Sequence, residues 1–199
     1  MSAEADQVDG GRRHFLLVAT SAVGAVGAVA TAVPFLASWR PSARAKALGG
    51  PVEADISKLQ VGELMKVEWR GQAIYVVRRS EAMIAKLASN KANLRDPDSA
   101  ESDQPDFAKN EARALKPEYL VLVGVCTHLG CAPLGKFEPG DATVAADWPG
   151  GFYCPCHGSK FDLAGRVFKD VPAPLNLTVP PYSFGPNNTL IIGVATGAA

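Results

Sequence analysis

Two hexapeptides, CTHLGC at 126–131 and CPCHGS at 154–159, hold all four cysteines and two of the three histidines of the chain. Cys126, Cys131, Cys154, Cys156, His128 and His157 are soft or borderline donors, the residue types that bind zinc or iron. A tetrahedral metal takes four ligands and leaves two of these donors over. Spacing alone leaves several pairings of the four thiols open, and the fate of the spare pair depends on whether the compartment is oxidising.

The N-terminal segment bears on that compartment. No formal charge occurs from His14 to Trp39, and FLLVATSAVGAVGAVATAVPFL, from Phe15 to Leu36, is almost wholly apolar. Wound as a helix it reaches about 33 Å, enough to cross a bilayer core. It exceeds the roughly 7 to 15 apolar residues of a cleaved secretory signal, which favours a retained anchor over 15–39. A soluble helix of this length would carry a polar face, whereas this one offers Thr20, Ser21 and Thr31 alone.

Just before it, GRRHFLL at 11–17 resembles a twin-arginine export signal, with Arg12 and Arg13 as the pair. Such signals are read by a receptor that exports folded proteins. Arg40, Arg44 and Lys46 balance Arg12 and Arg13, so orientation rests on the export motif, with residues 1–14 as a cytoplasmic tail. Trp39 reads as an interfacial anchor. RPSARAKALGGP at 40–51 has small residues, charge and no apolar periodicity, and reads as a flexible hinge over 40–50.

Residues 51–199 are a normal size for one domain with its own core. The 20 basic and 20 acidic residues give zero formal net charge, which supplies no electrostatic case for nucleic acid. VGELMKVEWRGQAIYVVRRS at 61–80 predicts a hairpin turning at Arg70-Gly71, and EAMIAKLAS at 81–89 a short amphipathic helix with Met83, Ile84 and Leu87 inward. The acidic stretch 93–113 reads as a solvated loop. YLVLVGV at 119–125 is a buried strand that delivers the chain to Cys126, and GFY (151–153) and KFD (160–162) flank the second hexapeptide. LNLTVPPYSF and TLIIGVA add strands near the C-terminus. The pattern is a small all-β domain whose two loops present the donors, and Trp69, Trp148, Phe152 and Tyr153 read as packing residues near them.

CTHLGC followed by CPCHGS resembles the paired signature of the Rieske iron-sulfur proteins, whose 2Fe-2S centre binds two histidines on one iron. The order of export signal, single anchor, tether and head resembles the iron-sulfur subunits of cytochrome bc complexes. The resemblance implies a Rieske-type antiparallel β-sandwich head with a small cluster-binding subdomain, tethered to one transmembrane helix. It implies that Cys126 and Cys154 hold one iron, that His128 and His157 hold the other, and that Cys131 and Cys156 form a disulfide. Thiolates suit the iron that stays ferric, imidazoles the one that is reduced.

Further positions follow from the same resemblance. Ser159 matches a serine whose hydroxyl bonds to a bridging sulfide and raises the potential. Phe161 stands where many members carry a tyrosine bonded to a ligand sulfur, which implies a lower potential than theirs. KDVPAP at 169–174 supplies Pro172, Ala173 and Pro174 of a lid over the cluster, with Asp170 and Val171 where a single glycine is common. Leu129 resembles the loop-tip residue that docks into a quinol site.

The activity implied is that of a quinol-cytochrome c oxidoreductase, an enzyme of the translocase class. His157 hydrogen-bonds quinol beside the cytochrome b subunit, one electron and a proton are taken, and the head swings to a c-type cytochrome subunit. The setting implied is a bacterial inner membrane, a periplasmic head and a dimeric multi-subunit complex. Two other readings compete. A structural zinc module would leave two donors idle. A Rieske subunit of another exported oxidoreductase, such as arsenite oxidase, needs no long tether.

Overall fold

The computed structural model describes residues 9–195; residues 1–8 of the expected tail 1–14 and residues 196–199 of the expected head lie outside the described residues. The chain forms two compact units, one up to Ala47 and one from Leu48.

In the first unit, helix α1 runs Gly10–Ala37. Asp9 caps it, its carboxylate accepting from the Gly11 and Arg12 backbone N–H groups at 3.0 and 3.4 Å. That cap places Arg12, Arg13 and His14 within the helix, where a tail was expected. The helix is long enough for about 42 Å, its best 18-residue window has a mean hydropathy of 2.0, and none of that window is buried against protein. Thr20 and Thr31 return their hydroxyls to the Leu16 and Gly27 carbonyls, which removes most of the polar face that the sequence offered. By length and composition this helix is long and apolar enough to cross a membrane.

The hinge segment differs from the expected extended tether. Helix α2 spans Ala43–Leu48, and Ser42 caps it by accepting the Ala45 N–H at 3.1 Å. Alanine-rich ARAKAL is a good helix former once capped, so local propensity wins where no apolar periodicity exists.

Among its described residues the second unit holds nine strands in three antiparallel sheets. Strands β2 (Leu64–Trp69), β3 (Gln72–Arg78) and β4 (Tyr119–Val123) form one sheet in that order, and the β2–β3 turn falls on Arg70-Gly71 as the sequence predicts. Both turn residues have positive φ, 52° and 72°, the geometry of a two-residue hairpin. Strands β1 (Val52–Asp55), β9 (Thr189–Ile192) and β8 (Tyr182–Phe184) form the second sheet. Strands β5 (Leu134–Lys136), β6 (Gly151–Cys154) and β7 (Ser159–Phe161) form the third, which carries the donor loops. Ile74, Val76, Leu120, Val121, Leu122 and Tyr182 lie in the shared core.

Helix α3 occupies Glu81–Ser89 as predicted, buries Met83 and Leu87, and is capped by Ser80. Two other expectations hold only in part. The acidic stretch is solvated at Asp98, Glu101, Asp103, Asp106 and Glu111, but Leu94, Asp96, Ser99 and Arg113 are buried, and the Arg95 N–H bonds to the Val167 carbonyl. LNLTVPPYSF is not strand throughout, because Pro180 and Pro181 cannot donate to a ladder and only Tyr182–Phe184 pairs regularly.

Candidate metal centre

Strand β4 hands the chain to Cys126, and the first loop then closes on itself. The Gly130 N–H bonds to the Cys126 carbonyl at 3.0 Å, and the Cys126 N–H to the Cys131 carbonyl at 2.7 Å. The second loop closes the same way within the β6–β7 hairpin, where the Gly158 N–H bonds to the Cys154 carbonyl at 2.9 Å and Cys154 faces Ser159 across the ladder. Gly130 and Gly158 occupy the fifth position of each hexapeptide and both sit at positive φ, 82° and 77°, which glycine adopts without strain.

A disulfide joins Cys131 to Cys156 and so locks the two loops together. Cys126 and Cys154 remain free thiols, both buried. The sulfurs of Cys131, Cys154 and Cys156 lie within 4.8 Å of one another. Two of these three are bonded to each other, so that trio is not a ligand set, and the thiols open to a metal are Cys126 and Cys154. Desolvation pushes the Cys126 thiol pKa up and the Cys154 sulfur adds to it, while bonds from the His128 backbone N–H and the Ser159 hydroxyl work against it. A buried thiolate pair is stable only beside positive charge, which a metal centre supplies.

The imidazoles of His128 and His157 meet edge to face, ring centroids 4.9 Å apart. His157 is exposed and His128 partly so, whereas both free thiols are buried. The donors therefore divide by depth into two sulfurs inward and two nitrogens outward. Two thiols and two imidazoles on two linked loops fit a 2Fe-2S centre with unlike irons, and a single zinc site would not account for the third and fourth cysteines being oxidised.

The loops are braced by contacts that sequence reading missed. The Ser159 hydroxyl, fully buried, accepts the Ala173 N–H at 3.1 Å, so the lid residue between Pro172 and Pro174 is tied to the second loop. Thr127 donates its hydroxyl to the Leu175 carbonyl at 2.6 Å and ties the first loop to the end of the lid. Asp170 takes φ 57°, a left-handed conformation that aspartate tolerates. Tyr75 of β3 donates its hydroxyl to the Pro133 carbonyl at 2.9 Å, just beyond Cys131, and its ring stacks near Phe152. Gly124 leaves room for that ring, since a Cβ there would meet it at 2.4 Å.

Asn176 gathers the acidic stretch beneath the lid. Its amide donates to the Asp96 carbonyl and the Ser99 hydroxyl, and its oxygen accepts the Val167 N–H. Phe161 is fully buried opposite Phe152, and no hydroxyl is present at that position. Leu129, 71% exposed, projects at the tip of the first loop. Trp69 bonds its indole N–H to the Gly50 carbonyl and Trp148 its own to the Lys136 carbonyl, so both are packing residues with satisfied donors.

The chain is similar to known proteins along most of its length. Residues 51–182 match the Rieske 2Fe-2S domain family, and residues 2–42 match the family of ubiquitinol-cytochrome C reductase Fe-S subunit TAT signals. The chain is 56% identical over 188 residues to the ubiquinol-cytochrome c reductase iron-sulfur subunit of Allochromatium vinosum, covering 94% of this chain and 91% of that one. It is 43% identical over 192 residues to the subunit of the same description from Blastochloris viridis, covering 96% and 97%. A solved chain of a hyperthermophilic respiratory Complex III is 26% identical with a TM-score of 0.47, covering 87% of this chain and 97% of that one.

Proposed function

The chain belongs to the family of ubiquinol-cytochrome c reductase iron-sulfur subunits, with one Rieske 2Fe-2S cluster, and from that premise we propose which residues carry the electron and the proton. Cys126 and Cys154 would hold one iron, His128 and His157 the other. The observation that supports this division is the depth of the donors, two buried free thiols behind an exposed pair of imidazoles.

When bound, the cluster supplies a one-electron acceptor whose potential is raised by its histidine ligands. His157, the more exposed imidazole, would accept a hydrogen bond from the quinol hydroxyl through the ring nitrogen not used as a ligand and take up the proton there. Leu129 provides the apolar contact that seats the loop tip against the quinol pocket of the cytochrome b subunit. The Cys131–Cys156 disulfide holds both histidines in register while the loops meet a partner. Ser159 and the lid from Pro172 to Pro174 keep water from the buried sulfurs.

The membrane crossing lies within α1, the hinge over 40–50, and the head over 51–199 with its donor loops at 126–131 and 154–159. The anchored head is exported to the periplasmic face of a bacterial inner membrane. From there it takes one electron from quinol and delivers it to a c-type cytochrome subunit, within a dimeric multi-subunit complex.

Electron paramagnetic resonance of ascorbate-reduced membranes, with and without an inhibitor of the quinol site, tests the reading. A rhombic signal with the low average g of a histidine-ligated cluster, altered in shape by the inhibitor, is the expected result. A signal indifferent to the inhibitor would move the cluster to another exported Rieske enzyme.

A further inference from the structure

Three arginines, Arg79, Arg113 and Arg166, are buried almost completely in the head, at 2%, 0% and 0% exposure. They come from distant parts of the chain and converge on one short turn. Arg79 donates to the Leu163 carbonyl at 2.9 Å, and Arg113 to the Ala164 and Gly165 carbonyls at 3.1 and 3.3 Å. Arg166 pairs with Asp162 at 2.7 Å. The turn Asp162–Gly165 directly follows β7, whose first residue is Ser159. Three residues of extended strand separate Ser159 from Asp162, about 10 Å.

The charges in this region do not cancel. Among the described residues of the head, the buried Asp, Glu, Lys and Arg side chains are these three arginines with Asp96 and Asp162, an excess of one positive charge. Arg166 has its carboxylate, but Arg79 is satisfied by the Pro117, Leu163 and Ala112 carbonyls. Arg113 is likewise satisfied by the Gln104 amide oxygen and the Ala164, Gly165 and Leu177 carbonyls. Burial lowers the pKa of Arg79 and of Arg113 to about 10, which still leaves both cationic at neutral pH. Burying a guanidinium costs more than burying an apolar side chain of similar volume. Hydrogen bonds to carbonyls satisfy the donors without removing the charge.

We propose that Arg79 and Arg113 are potential-setting residues: their buried charge, one unit of which no buried carboxylate balances, is held on the turn beyond the second donor loop and favours the reduced state of the centre. Reduction adds one electron to the centre. The arginines face the added negative charge from the protein side of the site, which solvent ions screen less than the exposed side. A fixed cation on the turn one short strand beyond the second donor loop therefore stabilises the product of reduction more than its precursor. This inference rests on the placement of the cluster between loops 126–131 and 154–159.

Redox titration of the cluster in membranes, followed by paramagnetic resonance, tests it through opposite signs. Arg79→Gln and Arg113→Gln each remove a positive charge and are expected to lower the midpoint potential. Asp96→Asn removes a negative charge and is expected to raise it. A midpoint unmoved in variants that keep the parental spectrum, or one that moves the same way for both signs of charge, overturns the proposal. If the arginine variants fail to assemble, Asp96→Asn decides alone, since a rise supports the proposal and any other result rejects it. The spectrum of the parent chain reports separately on cluster placement, so failure of that reading is distinguishable.

Discussion

The Ser159 hydroxyl accepts the backbone N–H of Ala173 at 3.1 Å, and that bond ties the lid to the second donor loop. Because the oxygen is already an acceptor, its own proton is free to be donated to the Cys126 side, where it opposes the rise in the thiol pKa. Ser159→Ala removes both interactions at a fully buried position. The expected result is a lower midpoint potential in redox titration, together with a loss of roughly 1 to 3 kcal/mol of stability for the orphaned Ala173 N–H, read by thermal unfolding.

Phe161 lacks the hydroxyl that could bond to a ligand sulfur, and its ring is fully buried against the β6 partner Phe152. Phe161→Tyr is expected to raise the midpoint potential with little change in the parental spectrum. A titration showing no upward shift would reject this role for the position.

The Cys131–Cys156 disulfide closes a loop with a sequence separation of 25, and chain-entropy arguments assign such a crosslink about 3 kcal/mol. Replacing both cysteines with serine is expected to shorten the half-life of the cluster, followed by visible absorbance during heating. An unchanged half-life would mean that the hydrogen bonds closing at Gly130 and Gly158 suffice to hold the loops.

How much of this was legible beforehand differs from element to element. The donor loops, the Arg70-Gly71 turn and α3 follow local rules that sequence carries: paired cysteines and histidines, a glycine at positive φ, and helical apolar spacing under a serine cap. The repeated glycine at the fifth position of both hexapeptides was visible too, and it signals a loop closed by a backbone bond at the first cysteine. The burial of Asp96 and Arg113 was not, because their partners lie far along the chain: Asn176 for one, the 164–165 carbonyls and Leu177 for the other. Long-range satisfaction of a charged residue leaves no periodic trace, and a charge run ordinarily means solvent. Helix α2 was missed for a different reason, since six residues are too few to show a period.

Tyr182 is fully buried, and its hydroxyl accepts the Leu115 N–H at 3.0 Å. Desolvation pushes its pKa up to about 12, so the folded state favours the neutral phenol. The stability it contributes is complete below about pH 10, the unfolded value, and is lost as pH rises toward 12. Arg79 and Arg113, whose pKa values are lowered, act in the opposite direction over the same range. The difference between the parent and Tyr182→Phe in denaturant unfolding isolates the tyrosine. That difference is expected to be flat below pH 10 and to shrink above it.

In the proposed movement of the head, helix α2 would set the reach. Unwinding its six residues adds about 11 Å of reach, the gap between extended and helical rise. Replacing Ala43–Leu48 with a rigid polyproline run is expected to slow quinol-cytochrome c turnover in membranes while leaving the cluster spectrum unchanged. Full turnover would remove motion on this hinge from the account.

The central claim is that two imidazoles and two thiolates share one cluster, and pulsed paramagnetic resonance of reduced membranes from cells fed nitrogen-15 histidine tests it most directly. Two histidine nitrogens coupled to the electron spin, both changing with the label, are the predicted result. A spectrum that the label leaves unchanged, or a zinc content in place of any signal, would contradict the assignment of His128 and His157.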